Sequence, residues 1–298
     1  MRRNIFHYLV VAAIAAGITP AAHAAENIKL KPAGSEFLDG KGGYLKSPEG
    51  VGCVGKTVIV ADTGNGRLVR YELQNDSLKA GAEIKISQLS YPTRVRLGPK
   101  GDMYVLDGKQ RRIVHLSPEG VFSAYVDIAG SQMVPKSFAV DSSGMVHVLD
   151  LRTERVVTFD PAGKKLGDIP FPASYGFISD IAVDAKGNTL LLDSVGAMVH
   201  VAVRGAKEFK PLTGSLKEYL EFPSDIITDL QGKIFITDQN GGAIIILGQD
   251  GSFQGRQLTQ GRKAGLVNYP SQACLNEEGD FIVADRDNSR VQLFKMIK

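Results

Sequence analysis

The chain has 298 residues, 43% of them hydrophobic, so it can bury a sizeable core as one large all-β domain or as two smaller ones. Its 35 basic and 32 acidic residues leave a formal charge of +3, a balance that excludes general attraction to nucleic acid or to an anionic membrane.

Residues 1–24 differ in composition from everything that follows. Arg2 and Arg3 precede an apolar run from Ile5 to Ile18, and Ala22-His23-Ala24 fits the small-x-small cleavage rule. A secretory leader cut after Ala24 is expected, leaving residues 25–298 as one domain, periplasmic or secreted. The apolar run is shorter than the ~20 residues that span a bilayer, and no later stretch is long and apolar enough to do so.

From there the chain repeats. An Asp that ends a β-like run recurs at Asp62, Asp107, Asp150, Asp193, Asp238 and Asp285, every 43 to 47 residues. Such a regular period marks a repeat architecture. In the second unit Thr93 to Leu97, Met103 to Leu106, Arg112 to Leu116 and Val121 to Val126 are β-branched or aromatic runs. They are separated by turn residues such as Pro99-Lys100-Gly101 and Ser117-Pro118-Glu119-Gly120, the signal of antiparallel strands joined by hairpins. Four strands per unit and six units give an all-β, six-bladed β-propeller. The last unit stops after its third strand, at Lys298, while Asn27 to Leu30 precede the first unit and belong to no blade. The N-terminal strand is therefore expected to complete the C-terminal blade and close the ring, leaving no open sheet edge.

Within four units a basic residue stands five positions after the Asp: Asp62 with Arg67, Asp107 with Arg112, Asp150 with Arg155, and Asp285 with Arg290. These pairs meet across the mouth of a hairpin and read as structural ion pairs. The fourth and fifth units carry Met198 and Ala243 instead, leaving Asp193 and Asp238 without that partner. On the same propeller face these two units also open with Asp180 and Asp225, an acidic sector set against Arg94 and Lys136 of the second and third units. These six residues form the candidate binding face, a polar surface able to orient a protein partner or a charged ligand. The two cysteines, Cys53 and Cys274, fall on the first strands of blades that become neighbours in a closed ring. There they can form a disulfide in an oxidising compartment, with free buried thiols as the alternative.

The segments DTGNGRLV (Asp62 to Val69) and DRDNSRVQLF (Asp285 to Phe294) resemble the NHL repeat family, whose units end in a D-x-x-N-x-R-V strand. The resemblance runs through most of the chain and implies a six-bladed propeller, in a family that hosts binding modules and enzymes alike. Related lactonases hold a divalent ion at the channel mouth, which makes a Ca²⁺ at the acidic sector a possibility; Arg94 and Lys136 oppose it. Related lyases need several histidines around a metal, whereas His115, His147 and His200 lie on three successive units and converge on no one point. No nucleophile elbow, zinc-protease motif or haem-attachment motif is present. The expectation is therefore a monomeric binding module with no cofactor and no catalytic set. A metal-dependent lactonase or lyase and a structural subunit of an envelope complex are the alternatives.

Overall fold

The structure is a computed structural model that describes residues 28–126 and 133–297; the expected leader lies outside these residues. Twenty-four strands form six four-stranded antiparallel sheets. Strand β1 is Lys29–Glu36. Blade 1 holds β2 (Gly50–Val54), β3 (Thr57–Asp62), β4 (Arg67–Gln74) and β5 (Ser77–Ile84). Blade 2 holds β6 (Pro92–Leu97), β7 (Met103–Asp107), β8 (Arg112–Leu116) and β9 (Phe122–Tyr125). Blade 3 follows with β10 (Pro135–Val140), β11 (Val146–Asp150), β12 (Arg155–Phe159) and β13 (Lys165–Pro170). Blade 4 has β14 (Ile178–Val183), β15 (Thr189–Asp193), β16 (Met198–Ala202) and a two-residue β17 (Lys210–Pro211). Blade 5 comprises β18 (Pro223–Thr228), β19 (Ile234–Asp238), β20 (Ala243–Leu247) and β21 (Phe253–Gln257). The last blade takes β22 (Pro270–Leu275), β23 (Asp280–Asp285) and β24 (Arg290–Ile297), with β1 as its outer strand.

Ring closure occurs as the repeat count requires. Strand β1 pairs antiparallel with β24 from Lys29↔Ile297 to Glu36↔Val291, with a bulge between Pro32 and Gly34. It is longer than the short segment the sequence marks, because the pairing continues through the bulge and covers β24 from Ile297 back to Val291, an edge that would otherwise be open.

The order of burial follows from packing blades face to face. Second strands such as TLLLD (β15) and IFITD (β19) are buried at every position, since both faces of the sheet meet a neighbour; they read as continuous apolar runs. Outer strands such as KLGDIP (β13) are mostly exposed. The core is accordingly split into six clusters, one per interface between adjacent blades. The hairpins joining first to second strands in blades 3 to 6 share one device, a side-chain oxygen of Asp141, Asp184, Asp229 or Asn276 that accepts backbone N–H groups of the turn. In blade 4, Asp184 Oδ1 accepts from the backbone N–H of Lys186 (2.9 Å) and Asn188 (2.8 Å), and Gly187 takes the left-handed φ of 82° that this turn demands. In the connection between blades 4 and 5, the Leu220 N–H reaches the Leu216 carbonyl at 3.0 Å, a single turn. Among the described residues no helix is long and apolar enough to cross a membrane.

Cys53 of β2 and Cys274 of β22 form a disulfide with Cα atoms 5.9 Å apart, joining residues 221 positions apart in the chain. It clasps blades 1 and 6, the interface that also carries the closing strand. In the chain-entropy account so long a loop stabilises by up to about 5 kcal/mol. Reduction, or a Cys53→Ser and Cys274→Ser double variant, should lower unfolding free energy by several kcal/mol in urea titrations; an unchanged midpoint would contradict the clasp.

His200 on β16 is 2% exposed and neither ring nitrogen has a hydrogen-bond partner. Burial pushes its pKa below the ordinary value, against a smaller opposing pull from Asp193. The folded state therefore keeps His200 neutral while the unfolded chain takes up a proton near pH 6.5, so stability is lost as the pH falls below about 6.5. His200→Leu should flatten that slope when unfolding is compared at pH 8 and pH 5; an undiminished slope would place its origin elsewhere.

Candidate functional site

The six repeated aspartates are clamps. Asp62, Asp107, Asp150, Asp193, Asp238 and Asp285 are all at most 1% exposed. Each accepts a backbone N–H from the loop that enters its blade: Lys46, Ser90, Val134, Gly176, Glu221 and Asn268 respectively, at 2.6 to 3.0 Å. A buried carboxylate surrounded by amide donors stays ionised without a cation. Asp193 shows this most fully. Burial alone would raise its pKa, yet N–H groups of Gly176, Phe177, Gly196 and Val195 hold it below the usual carboxylate value.

The arginine five residues on is therefore one solution among several. Arg67 Nε pairs with Asp62 and Arg290 Nε with Asp285, both at 2.7 Å. In these two blades a 3-10 turn, Thr63–Asn65 or Arg286–Asn288, replaces the plain hairpin. The expected pairs Asp107–Arg112 and Asp150–Arg155 do not form. Backbone N–H groups of Lys109 and Gln110 fill Asp107, while the Arg112 guanidinium lies 4.1 Å from the centre of the Tyr125 ring. Asp150 is filled by N–H groups of Arg152 and Thr153, and Arg155 turns to Asp168. Asp238, which lacks an arginine at Ala243, has Arg256 Nη1 of β21 at 3.9 Å.

The acidic sector is likewise not a solvent-facing surface. Asp193 and Asp238 belong to the clamps, and Asp180 and Asp225 are 0% exposed inside the central channel. There the first strands form a polar belt in which side chains of one blade bind the backbone of the next. Asp180 Oδ2 accepts from Ile226 N (2.8 Å), Asp225 Oδ2 from Ala273 N (2.9 Å), and Gln272 Oε1 from Val51 N (3.1 Å). Gly50 has no side chain at its belt position. Gln272 spans the gap to blade 2, where it also accepts from Val95 N at 3.2 Å and donates to Val95 O at 3.0 Å. A Cβ on Gly50 would meet Gln272 Oε1 and Val95 N at 3.1 Å each. The remaining arc is closed by Ser137, which donates to Asp180, and by two arginines. Arg94 Nη1 reaches Asp225 Oδ1 at 3.1 Å, and Arg96 Nη2 lies 2.9 Å from Asp225 Oδ1 and 3.4 Å from Asp180 Oδ2. Burial, together with Asp180, pushes the Asp225 pKa up to about 6 against the opposing pull of Arg96 and Arg94.

Arg96 and Gln272 complete the belt and were not singled out by motif. Arg96 is two residues beyond Arg94 on one strand, hence on the same face, and Gln272 holds the same strand position as Asp180 and Asp225.

The belt floors a cavity of about 520 Å³ at the channel mouth, on the face formed by the strand openings and the hairpin loops after the second strands. Arg94, Lys136, Lys109, Arg111 and Glu49 line it, with the rings of Tyr91, Phe177 and Phe222. Lys109 Nζ stands 5.0 Å from the Tyr91 ring centre and Lys136 Nζ 5.7 Å from that of Phe177. A smaller cavity of about 200 Å³ lies on the far side of the belt, lined by Arg96, Cys53, Cys274 and aliphatic side chains. The mouth is thus cationic and aromatic, with the two channel carboxylates neutralised beneath it.

This donor set does not fit a divalent cation. The oxygens of Asp180 and Asp225 are engaged by guanidinium, hydroxyl and amide donors, and among the described residues no group of three or more His, Cys, Asp or Glu could hold a metal. His115 instead contacts Asp102 at 2.9 Å and stacks on Tyr104, and His147 contacts Asp141 at 3.4 Å.

Belt and mouth should separate on mutation. Asp225→Ala leaves two buried guanidinium groups short of a partner and should cost about 3–5 kcal/mol of stability. Lys136→Ala removes no hydrogen bond and should cost about 0.5 kcal/mol or less. Urea unfolding of the two variants checks this, and a near-neutral Asp225→Ala would contradict the belt.

A family model described as NHL repeat matches residues 267–294, which lie in the segment that supplies β22, β23 and β24 to the last blade. No curated protein sequence matches the chain. Solved structures with the same architecture include a gluconolactonase from Xanthomonas campestris, 11% identical, covering 94% of each chain at a TM-score of 0.67. A catalytically inactive virginiamycin B lyase from Staphylococcus aureus with quinupristin is 10% identical over 90% of this chain and 88% of that one, with a TM-score of 0.59. A nidogen/laminin complex is 15% identical over 77% of this chain and 92% of that one, also at 0.59. The chain is a six-bladed β-propeller with an NHL repeat in the blade that closes its ring.

Proposed function

We propose that this propeller is an extracytoplasmic binding module that takes an anionic ligand with an aromatic or apolar part in the mouth of its channel. The observation that carries this reading is the cavity itself: Arg94, Lys136, Lys109 and Arg111 converge with Tyr91, Phe177 and Phe222 on about 520 Å³, with Glu49 as the one carboxylate on its wall among the described residues. A concavity that combines convergent charged groups with aromatic walls can fix both the charge and the apolar part of a small molecule. A free anion or an acidic side chain of a protein partner presents the same chemistry, and the nidogen/laminin complex is a propeller with a protein partner. The N-terminal sequence and the Cys53–Cys274 bridge support a place outside the reducing cytoplasm. The enzymes among the structural relatives are similar in fold alone, and the engagement of the Asp180 and Asp225 carboxylates by Arg94 and Arg96 favours an anion over a cation at the mouth.

Calorimetric titration with aromatic carboxylates should detect binding that weakens with salt. Reversing the exposed rim charges, Lys109→Glu with Arg111→Glu, should weaken it by roughly tenfold, ~1.4 kcal/mol. Binding that ignores both salt and the reversal would place the ligand elsewhere.

A further inference from the structure

We propose that Lys136 is a nucleophilic amine that captures a 2-oxo acid as a reversible imine at the channel mouth. The inference rests on the mouth being a ligand site and names the chemistry of its ligand. Its first ground is the setting of the side chain. Among the described lysines only Lys136, Lys233 and Lys295 are not exposed. Lys233 donates to Gln254 at 3.2 Å, and Lys295 pairs with Asp76 and Asp280. Lys136 alone of the three has neither a hydrogen bond nor a carboxylate contact, only the face of Phe177 at 5.7 Å. A half-buried ammonium with no acceptor is costly, and such a site shifts the balance toward the neutral amine. Burial, followed by the charge of Arg94, holds its pKa below the ordinary lysine value, against Asp180 and Glu49. Desolvation beside a second cation is how a lysine becomes a nucleophile.

The neighbours supply the rest. Arg94 uses one N–H on Asp225 and one on the Ser224 carbonyl, leaving donors of its five-fold fork for a carboxylate. A carbonyl carbon directly bonded to that carboxylate would then stand beside Lys136, which is the definition of a 2-oxo acid. Glu49 lines the same cavity, and burial raises its pKa, so it can carry a proton. The Nζ lone pair adds to the carbonyl carbon and an N–H proton passes to the oxygen, giving a carbinolamine. Glu49 then protonates the hydroxyl, which leaves as water, and the nitrogen lone pair forms the C=N bond of a protonated imine. Hydrolysis reverses each step and releases the ligand unchanged.

The test incubates the full chain with phenylpyruvate and cyanoborohydride at about pH 7.5, where an ordinary lysine is almost wholly protonated, and maps adducts by peptide mass spectrometry. Lys136 should be labelled at least about tenfold faster than the exposed lysines, and Lys136→Arg, verified as folded by circular dichroism, should lose that adduct. Phenyllactate, which lacks the carbonyl, is titrated calorimetrically in parallel. Labelling spread evenly over exposed lysines while phenyllactate binds overturns the imine and leaves the binding site standing. If neither compound engages the protein, both readings fall.

Discussion

The propeller depends on how six separate sheets are tied together around a hole. Apolar packing between blades supplies most of the burial, but it is non-directional, and at the centre the first strands present polar backbone to a channel. The belt of Asp180, Asp225, Gln272, Ser137, Arg94 and Arg96 resolves this. Side chains accept the N–H groups of neighbouring first strands, and the two arginines bridge the channel to the carboxylates of blades 4 and 5. Burying two carboxylates is tolerable only because guanidinium and amide donors surround them. The charged groups that look like a surface from sequence are thereby spent on architecture.

That expenditure shapes what is left for function. The carboxylates sit under the arginines, so the channel mouth above the belt is dominated by cations and aromatic rings, while the far side holds a smaller cavity and carries the disulfide clasp. The acidic sector set against Arg94 and Lys136 in the sequence becomes a buried belt beneath a mouth lined by cations. Lys136 is the side chain at that mouth which the architecture does not use, and the blades rigidly hold it beside Arg94. The hairpin clamps act at the rim: by binding the entering loop of each blade to the end of its second strand, they hold Tyr91, Phe177 and Phe222 around the cavity.

The fold was legible because it is periodic: six aspartates at near-constant spacing, six apolar second strands and an incomplete last unit required a closed ring. The channel was far less legible. Asp107 and Asp150 have an arginine at the right spacing, yet their turns supply enough backbone donors, and Arg112 and Arg155 find Tyr125 and Asp168 on outer strands whose positions local spacing does not reveal. Asp180 and Asp225 read as exposed because a single strand cannot show which of its faces closes on an opposite blade. Their partner Arg94 comes from blade 2, 131 residues from Asp225, a contact that only the closed ring creates. Gln272 compensates for Gly50 across the same kind of distance.

The central claim is that the cations of the mouth hold an anion while the carboxylates beneath them are already satisfied. Anomalous diffraction from a crystal soaked in a bromophenyl carboxylate tests it directly. The account predicts a bromine peak in the mouth near Phe177, with the carboxylate against Arg94 and Lys136 and with Arg94 and Arg96 still on Asp225. A mouth without ligand, or a metal ion between Asp180 and Asp225 with the arginines turned away, would contradict it.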